Sequence, residues 1–152
     1  MKIIVDNAPH IFGPWFAEKM GIKWIAGQAQ YIGLFDTDLN QPIASCMYEG
    51  FNGRSVRVHL ATEGPNWLNR EYLWFCFYYP FEQLKVTKLI ALIESNNLKS
   101  VKWTKHCGYQ LEATLKDAGQ DADLLIYTMT KEQCKWLNLR NKNGQAHSTN
   151  ST

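Results

Sequence analysis

The sequence has no apolar run long enough to cross a bilayer, which takes about 20 residues. Its most apolar stretch, EYLWFCFYYPF from Glu71 to Phe81, runs straight into Glu82. There is little excess of charge of one sign. Sixteen Lys and Arg stand against 14 Asp and Glu, a formal net charge of +2. That is too weak to imply a nucleic-acid partner by electrostatics alone. Metal-binding patterns are missing as well. None of Cys46, Cys76, Cys107 and Cys134 stands in a C-x-x-C pair, and the histidines show no zinc spacing. DTDLNQ, from Asp36, has the alternating oxygen side chains of a calcium loop. It puts Gln41 where such a loop needs glycine and Met47 where it needs glutamate, so it reads as a polar hairpin turn. The opening MKIIVDNAPH meets an aspartate too early for a secretory leader. The expectation is a reduced, cytoplasmic protein without metal and without a membrane anchor.

What is present fits one domain. The chain has 152 residues, 45% hydrophobic and 20% charged, which is ordinary for a globule. The aromatic share of 13% is high and points to a core built from rings. KIIVD reads as an edge strand and HIFGPWFAEKMG as a short helix, with Pro14 near its first turn and Gly21 as its stop. QAQYIGLFDTD, PIASCMYEGF and SVRVHLAT read as three strands, the last two joined through the hairpin signal Asn52-Gly53. In the third strand Val56, Val58 and Leu60 share one face, and Ser55, Arg57, His59 and Ala61 the other. VTKLIALIES reads as a buried strand and NLKSVKWTKHCGY as a helix from Asn97 to Gly108. YQLEATLKD and LLIYTMT read as two more strands, and KEQCKWL as one or two helical turns. Residues 1–137 form the expected domain. From Asn138 the chain is polar, and 138–152 reads as a disordered tail.

The aromatic stretch reads as a helix, not a strand, because Pro80 would cost a central strand a ladder bond. Leu73, Phe77, Phe81 and Leu84 fall on one side, widened by Trp74 and Tyr78. Asn66 or Asn69 caps its start, and Pro80 should kink or tighten its last turn. Stacking on bases would need exposed rings on a basic surface, and only Arg70 is near. A buried helix laid against a sheet fits best.

Strand VRVHLA, a loop, the aromatic helix ending YPFEQLKV, strand KLIALIES and then NLKSVKWTKHCGYQLEATLKD resemble the GNAT superfamily of N-acetyltransferases. The match is sharpest at Asn97-x2-Ser100-x7-Gly108-Tyr109, similar to the family helix that opens on asparagine and closes on Gly-Phe or Gly-Tyr. YPFEQLKVTKL looks like the ribosomal-protein acetyltransferase branch. Residues 1–137 as a whole resemble small GNAT-like proteins of tailed bacteriophages, which would place the chain in host cytoplasm. The resemblance implies an α/β (α+β) fold. Its mixed, mostly antiparallel, twisted sheet would be flanked by helices, with two parallel strands splayed into a V. It also implies acetyl-CoA as cosubstrate and a primary amine, on a protein or a small molecule, as acceptor.

The site residues follow from the same resemblance. The cofactor's arm would pair with Ser55–Thr62, and backbone groups near His59, Leu60 and Ala61 would polarise the thioester carbonyl, each such donor contributing about 3 kcal/mol. Its pyrophosphate would sit on the loop Gly64, Asn66, Trp67, Leu68 and Asn69 at the start of the aromatic helix. The family's loop pattern is Gln/Arg-x-x-Gly-x-Gly/Ala. This chain keeps Gly64 but has Ala61, Pro65 and Asn66 around it, and Glu63 would repel phosphate if turned inward. Asn97 and Ser100 would hold the arm, or Asn97 is only a helix cap. His59 is the first candidate base and Glu49 the second. Against these stand a histidine merely bonded on a half-buried sheet face and an exposed hairpin glutamate. The family's tyrosine acid falls at Thr104, which cannot fill that role. Lys99, Lys102 and Lys105 read as a solvated helix face. A GNAT-shaped binding or structural module without catalysis is the rival reading.

Overall fold

The computed structural model describes residues 1–139. Strand β1 (Lys2–Val5) leads into helix α1 (Pro9–Met20). Then come β2 (Ala29–Asp36), β3 (Gln41–Glu49) and β4 (Ser55–Thr62). Helix α2 (Arg70–Tyr78) follows and widens into a π turn over Tyr79–Gln83. Next are β5 (Lys88–Glu94), α3 (Leu98–Cys107), β6 (Gln110–Gly119) and β7 (Ala122–Thr130). A 3₁₀ turn at Trp136–Asn138 closes the described chain.

The strands form one sheet in the order β1-β2-β3-β4-β5-β7-β6. β4 and β5 are parallel, and the other neighbours are antiparallel. This is the mixed, mostly antiparallel sheet expected from the sequence.

Alternation along β4 sorts the core into two layers, as read from its pattern. Val56, Val58 and Leu60 face a cluster built on α2, with Tyr72, Cys76, Phe77 and Phe81. Ala61 faces the other way, into a smaller cluster with Phe12, Phe16, Tyr31 and Met47 under α1. β3 lies between the two layers, so Ile43 to Tyr48 are buried without a break. Fully burying one such apolar side chain contributes about 1.5–3 kcal/mol.

The helix ends follow local chemistry. Asn69 caps α2, its Oδ1 accepting from the Tyr72 amide at 3.0 Å. Gly108 ends α3 in the left-handed region, φ 102°, where its amide returns to the Lys105 carbonyl.

Four details depart from expectation. Pro14 lies mid-helix, because α1 starts earlier and Pro9 takes the first-turn position. Buried Phe12 and Phe16 hold the helix together on either side of it. Pro80 loosens the last turn of α2 instead of tightening it. The Leu84 amide bonds the Tyr79 carbonyl at 3.0 Å, a five-residue step, while the Cys76 carbonyl that Pro80 cannot serve accepts from the Tyr48 hydroxyl at 2.5 Å, and Phe81 stays buried. Of the Asn52-Gly53 pair only Gly53 has positive φ. The Asn52 side chain instead accepts from the Arg54 and Ser55 amides at 2.9 and 2.8 Å. Asn138 still belongs to the closing turn, and the expected tail from Arg140 on lies outside the described residues.

Gly33 sets how closely α1 approaches the sheet. A β-carbon there would overlap the Phe12 ring, which lies directly on the β2 backbone. Gly33→Ala is expected to destabilise the protein by about 1–3 kcal/mol, the usual range for overpacking. A urea unfolding midpoint equal to that of the parent would refute this packing account.

Candidate active site

β4 and β5 start as partners and then separate. Their ladder has three steps, Ser55↔Lys88, Val56↔Leu89 and Arg57↔Ile90. Beyond these, β4 stays bonded to β3 as far as Ala44↔Thr62. β5 stays bonded to β7 as far as Glu94↔Leu124. The facing edges, Val58–Thr62 and Ala91–Glu94, thus have no strand partner on the inner side. Backbone amides on such edges need other hydrogen-bond partners.

A cavity of about 270 Å³ occupies the opening. On the α2–α3 side its walls include Leu60, Leu73, Ala91, Asn97, Ser100 and Thr104. His59, Leu92, Glu94 and Met20 line it from the α1 side. Side chains from both faces contribute, so the opening runs through the sheet.

His59 is the histidine on this wall. Its side chain is 20% exposed, and its Nε2 lies 3.1 Å from Glu49 Oε1. Arg57 Nε donates to the same oxygen at 3.4 Å. An ionised carboxylate can only accept, so Nε2 carries the hydrogen and the neutral ring keeps its lone pair on Nδ1. Burial pushes the His59 pKa below its ordinary 6.5. Glu49 pulls it partly back up, and Arg57 adds a smaller downward push. The Glu49 charge also helps burial raise the Tyr31 hydroxyl.

Asn97 does two things at once. Its Oδ1 accepts from the Ser100 amide at 3.3 Å, capping α3, and the residue lines the cavity. Its NH₂ group is a donor that the cap leaves unused. Thr104 is buried on the same wall. Lys99, Lys102 and Lys105 are exposed, as a solvated face would be.

The other residues singled out in the sequence lie off the cavity wall. Ala61 is buried in the α1 layer. Gly64 adopts the left-handed region, φ 65°, with nothing within 4 Å of where a β-carbon would point. The Asn66 carbonyl accepts from the Lys2 ammonium. Trp67 meets Trp103 of α3 edge to face, ring centroids 5.1 Å apart. Leu68 is exposed and Asn69 is the α2 cap. Glu63 pairs with Lys19 of α1, which neutralises it beside the loop. Glu49 lies in a neighbouring groove and reaches the cavity through His59.

Sequence reasoning missed the inner wall. Tyr72, Tyr109, Cys46, Cys76 and Cys107 line it, and Trp103 borders it too. Burial raises the Cys76 thiol well above its ordinary range and pushes Cys107 to about 12. A signal was available: Tyr72 and Cys76 are four apart, beside the Leu73–Phe77 stripe. Among the described residues no group of three or more His, Cys, Asp or Glu is placed to hold a metal ion.

No known family profile and no characterised protein matches this sequence. Solved structures do match its shape. Variant forms of the spermidine/spermine N-acetyltransferase SpeG from Vibrio cholerae superpose with a TM-score of 0.72 at 12% identity, over 91% of this chain and 98% of that one. The ribosomal-protein-S5-alanine acetyltransferase from Vibrio fischeri gives 0.64 at 12% identity, over 88% and 94%. A further SpeG variant gives 0.60 at 19% identity, over 74% and 69%. Together with the seven-stranded sheet and its single parallel pair, these likenesses show that the chain has the GNAT fold.

Proposed function

We propose that this protein transfers an acetyl group from acetyl-CoA to a primary amine, which attacks the thioester directly. The observation that carries the proposal is the parting of β4 and β5 around a cavity that His59 lines. The unpaired strand edges fit an amide-rich pantetheine arm, and Leu60, Asn97 and Ser100 would hold it. The start of α2 offers the positive end of a helix dipole to the pyrophosphate. The loop before it fits less fully, since Pro65 supplies no donor, but the Lys19–Glu63 pair removes the repulsion feared from the sequence. The cosubstrate supplies an acetyl group activated as a thioester.

The protein's part is positioning and proton transfer. His59 Nδ1 accepts the proton lost by the attacking amine, while Glu49 holds the ring through Nε2–H. With Thr104 in the acid's position, water protonates the departing sulfur. Burial keeps Cys76 and Cys107 protonated, which supports direct attack over an acyl-enzyme.

The continuous sheet from Lys2 to Thr130 supports treating residues 1–137 as one domain. The resemblance to small phage proteins supports action in the cytoplasm of an infected cell, and four free, buried thiols agree with a reducing compartment. The rival reading, a GNAT-shaped module without catalysis, draws on Pro65 and Thr104. Calorimetry separates the two. Acetyl-CoA is expected to bind in the micromolar range and about tenfold more weakly to Asn97→Ala, the loss of one hydrogen bond. Silence at millimolar acetyl-CoA would favour the binding module. His59→Ala is expected to lower kcat by about 10²–10⁴-fold with acetyl-CoA affinity kept. Full turnover would remove the base assignment.

The depressed His59 pKa gives a further check. Between the folded value and 6.5 the unfolded chain binds the extra proton and the native protein does not. The His59 contribution to stability is therefore complete above pH 6.5 and is lost as pH falls through the folded pKa. NMR titration should place the ring below 6.5, and Glu49→Gln should lower it again. His59→Gln should flatten the stability profile in that window. A ring titrating at or above 6.5 would contradict the burial argument.

A further inference from the structure

A second concavity, about 420 Å³, lies where β2 begins and β3 ends. Gly27, Gln30, Glu49 and Phe51 border it, with Tyr79 and Leu84 from the helical side. It meets the through-sheet cavity at one hydrogen bond, from His59 in the cavity wall to Glu49 in the groove, 3.1 Å long. The rim lies beyond the ladders, whose last steps are Ala29↔Glu49 and Glu49↔Arg57. Two large apolar side chains stand out on the neighbouring loops, Phe51 at 50% and Ile25 at 49% exposure.

We propose that this groove receives the acceptor, and that the acceptor is the N-terminal amine of a peptide or protein chain with apolar leading residues. The assignment rests on the acyl-transfer reading above and narrows it. Charge is the first argument. Glu49 is the one carboxylate among the groove's walls; Arg57 and His59 both bond its Oε1, and Oε2 is the oxygen left to meet the single charge of a chain terminus. A polyamine brings several ammonium groups and would leave most of them without a partner. Apolar fit is the second argument. Exposed Phe51 and Ile25 match the side chains that follow a terminus, and the rim backbone beyond the ladders matches its peptide groups.

Base strength is the third. An α-amine has an ordinary pKa of about 7.7–8.0 and a lysine amine about 10.4, so at neutral pH the former is neutral about 300 times more often. A reaction that starts from the neutral amine therefore favours the former. In the step itself the neutral terminal nitrogen bonds to the thioester carbonyl carbon. The carbon–sulfur bond breaks with its electron pair leaving on sulfur. The surplus proton on nitrogen passes to His59 Nδ1, and water relays it to the thiolate.

The test uses the full chain, acetyl-CoA and three acceptors. These are a lysine-free peptide with a free terminus and apolar second and third residues, the same peptide blocked at its terminus and carrying one lysine, and spermidine. Mass spectrometry of the products is expected to give the free-terminus peptide a kcat/KM at least about tenfold above the other two. Phe51→Ser should raise its KM about fivefold or more and leave the acetyl-CoA dissociation constant unchanged. Equal or faster turnover of spermidine or the lysine peptide would overturn the proposal, as would an unmoved KM in Phe51→Ser. So would bound acetyl-CoA with none of the three acetylated. Failure of acetyl-CoA to bind at all would instead remove the acyl-transfer reading, and the groove assignment with it.

Discussion

Two parallel strands that pair at one end and separate at the other must each be held from its outer side. Here β3 holds β4 and β7 holds β5, both by antiparallel ladders that continue past the point of parting. The inner edges are left with backbone groups that no strand satisfies. Unmet polar groups of this kind cost free energy when buried, so the arrangement persists because the outer ladders over-determine it. The cavity and the placing of His59 follow from that one constraint.

The aromatic helix fills the space beneath the opening. Its rings are large enough to support a sheet that has lost pairing in its middle. Tyr72 and Phe81 are almost completely buried, and the Tyr72 hydroxyl donates to the Ile32 carbonyl at 2.7 Å. Phe81 is buried within the π turn that contains Pro80, and the Tyr48 hydroxyl serves the Cys76 carbonyl that the proline leaves without a backbone donor. Further rings tie the flanking pieces together. Trp67 leans on Trp103, and Phe77 stacks on Trp136, whose indole N–H donates to the Cys107 carbonyl at 2.7 Å. The walls of the site are thus braced by contacts between segments far apart in sequence.

Electrostatics at the site are local. His59, Glu49 and Arg57 form a small network on one face of β3 and β4. Burial of His59 outweighs the pull of Glu49, which leaves a neutral ring with one defined basic nitrogen. The loop before α2 has its own compensation, because Lys19 of α1 answers Glu63.

Much of this was legible in the chain itself. Period-two patterning gave the strands, glycines at 21 and 108 marked helix ends, and alternation along Ser55–Thr62 put His59 and Leu60 on opposite faces. The Asn97–Ser100 spacing marked a helix start that now borders the cavity. Those features depend on neighbours within a few residues, which is the range over which sequence speaks directly. Tertiary structure decided the rest. The partner of Glu63 is Lys19, 44 positions earlier in the chain. The inner wall joined Cys46, Cys76 and Cys107 from a strand and two helices. Whether β4 and β5 stayed zipped was set by ladders on their far sides, and no local pattern encodes a pairing that stops after three steps.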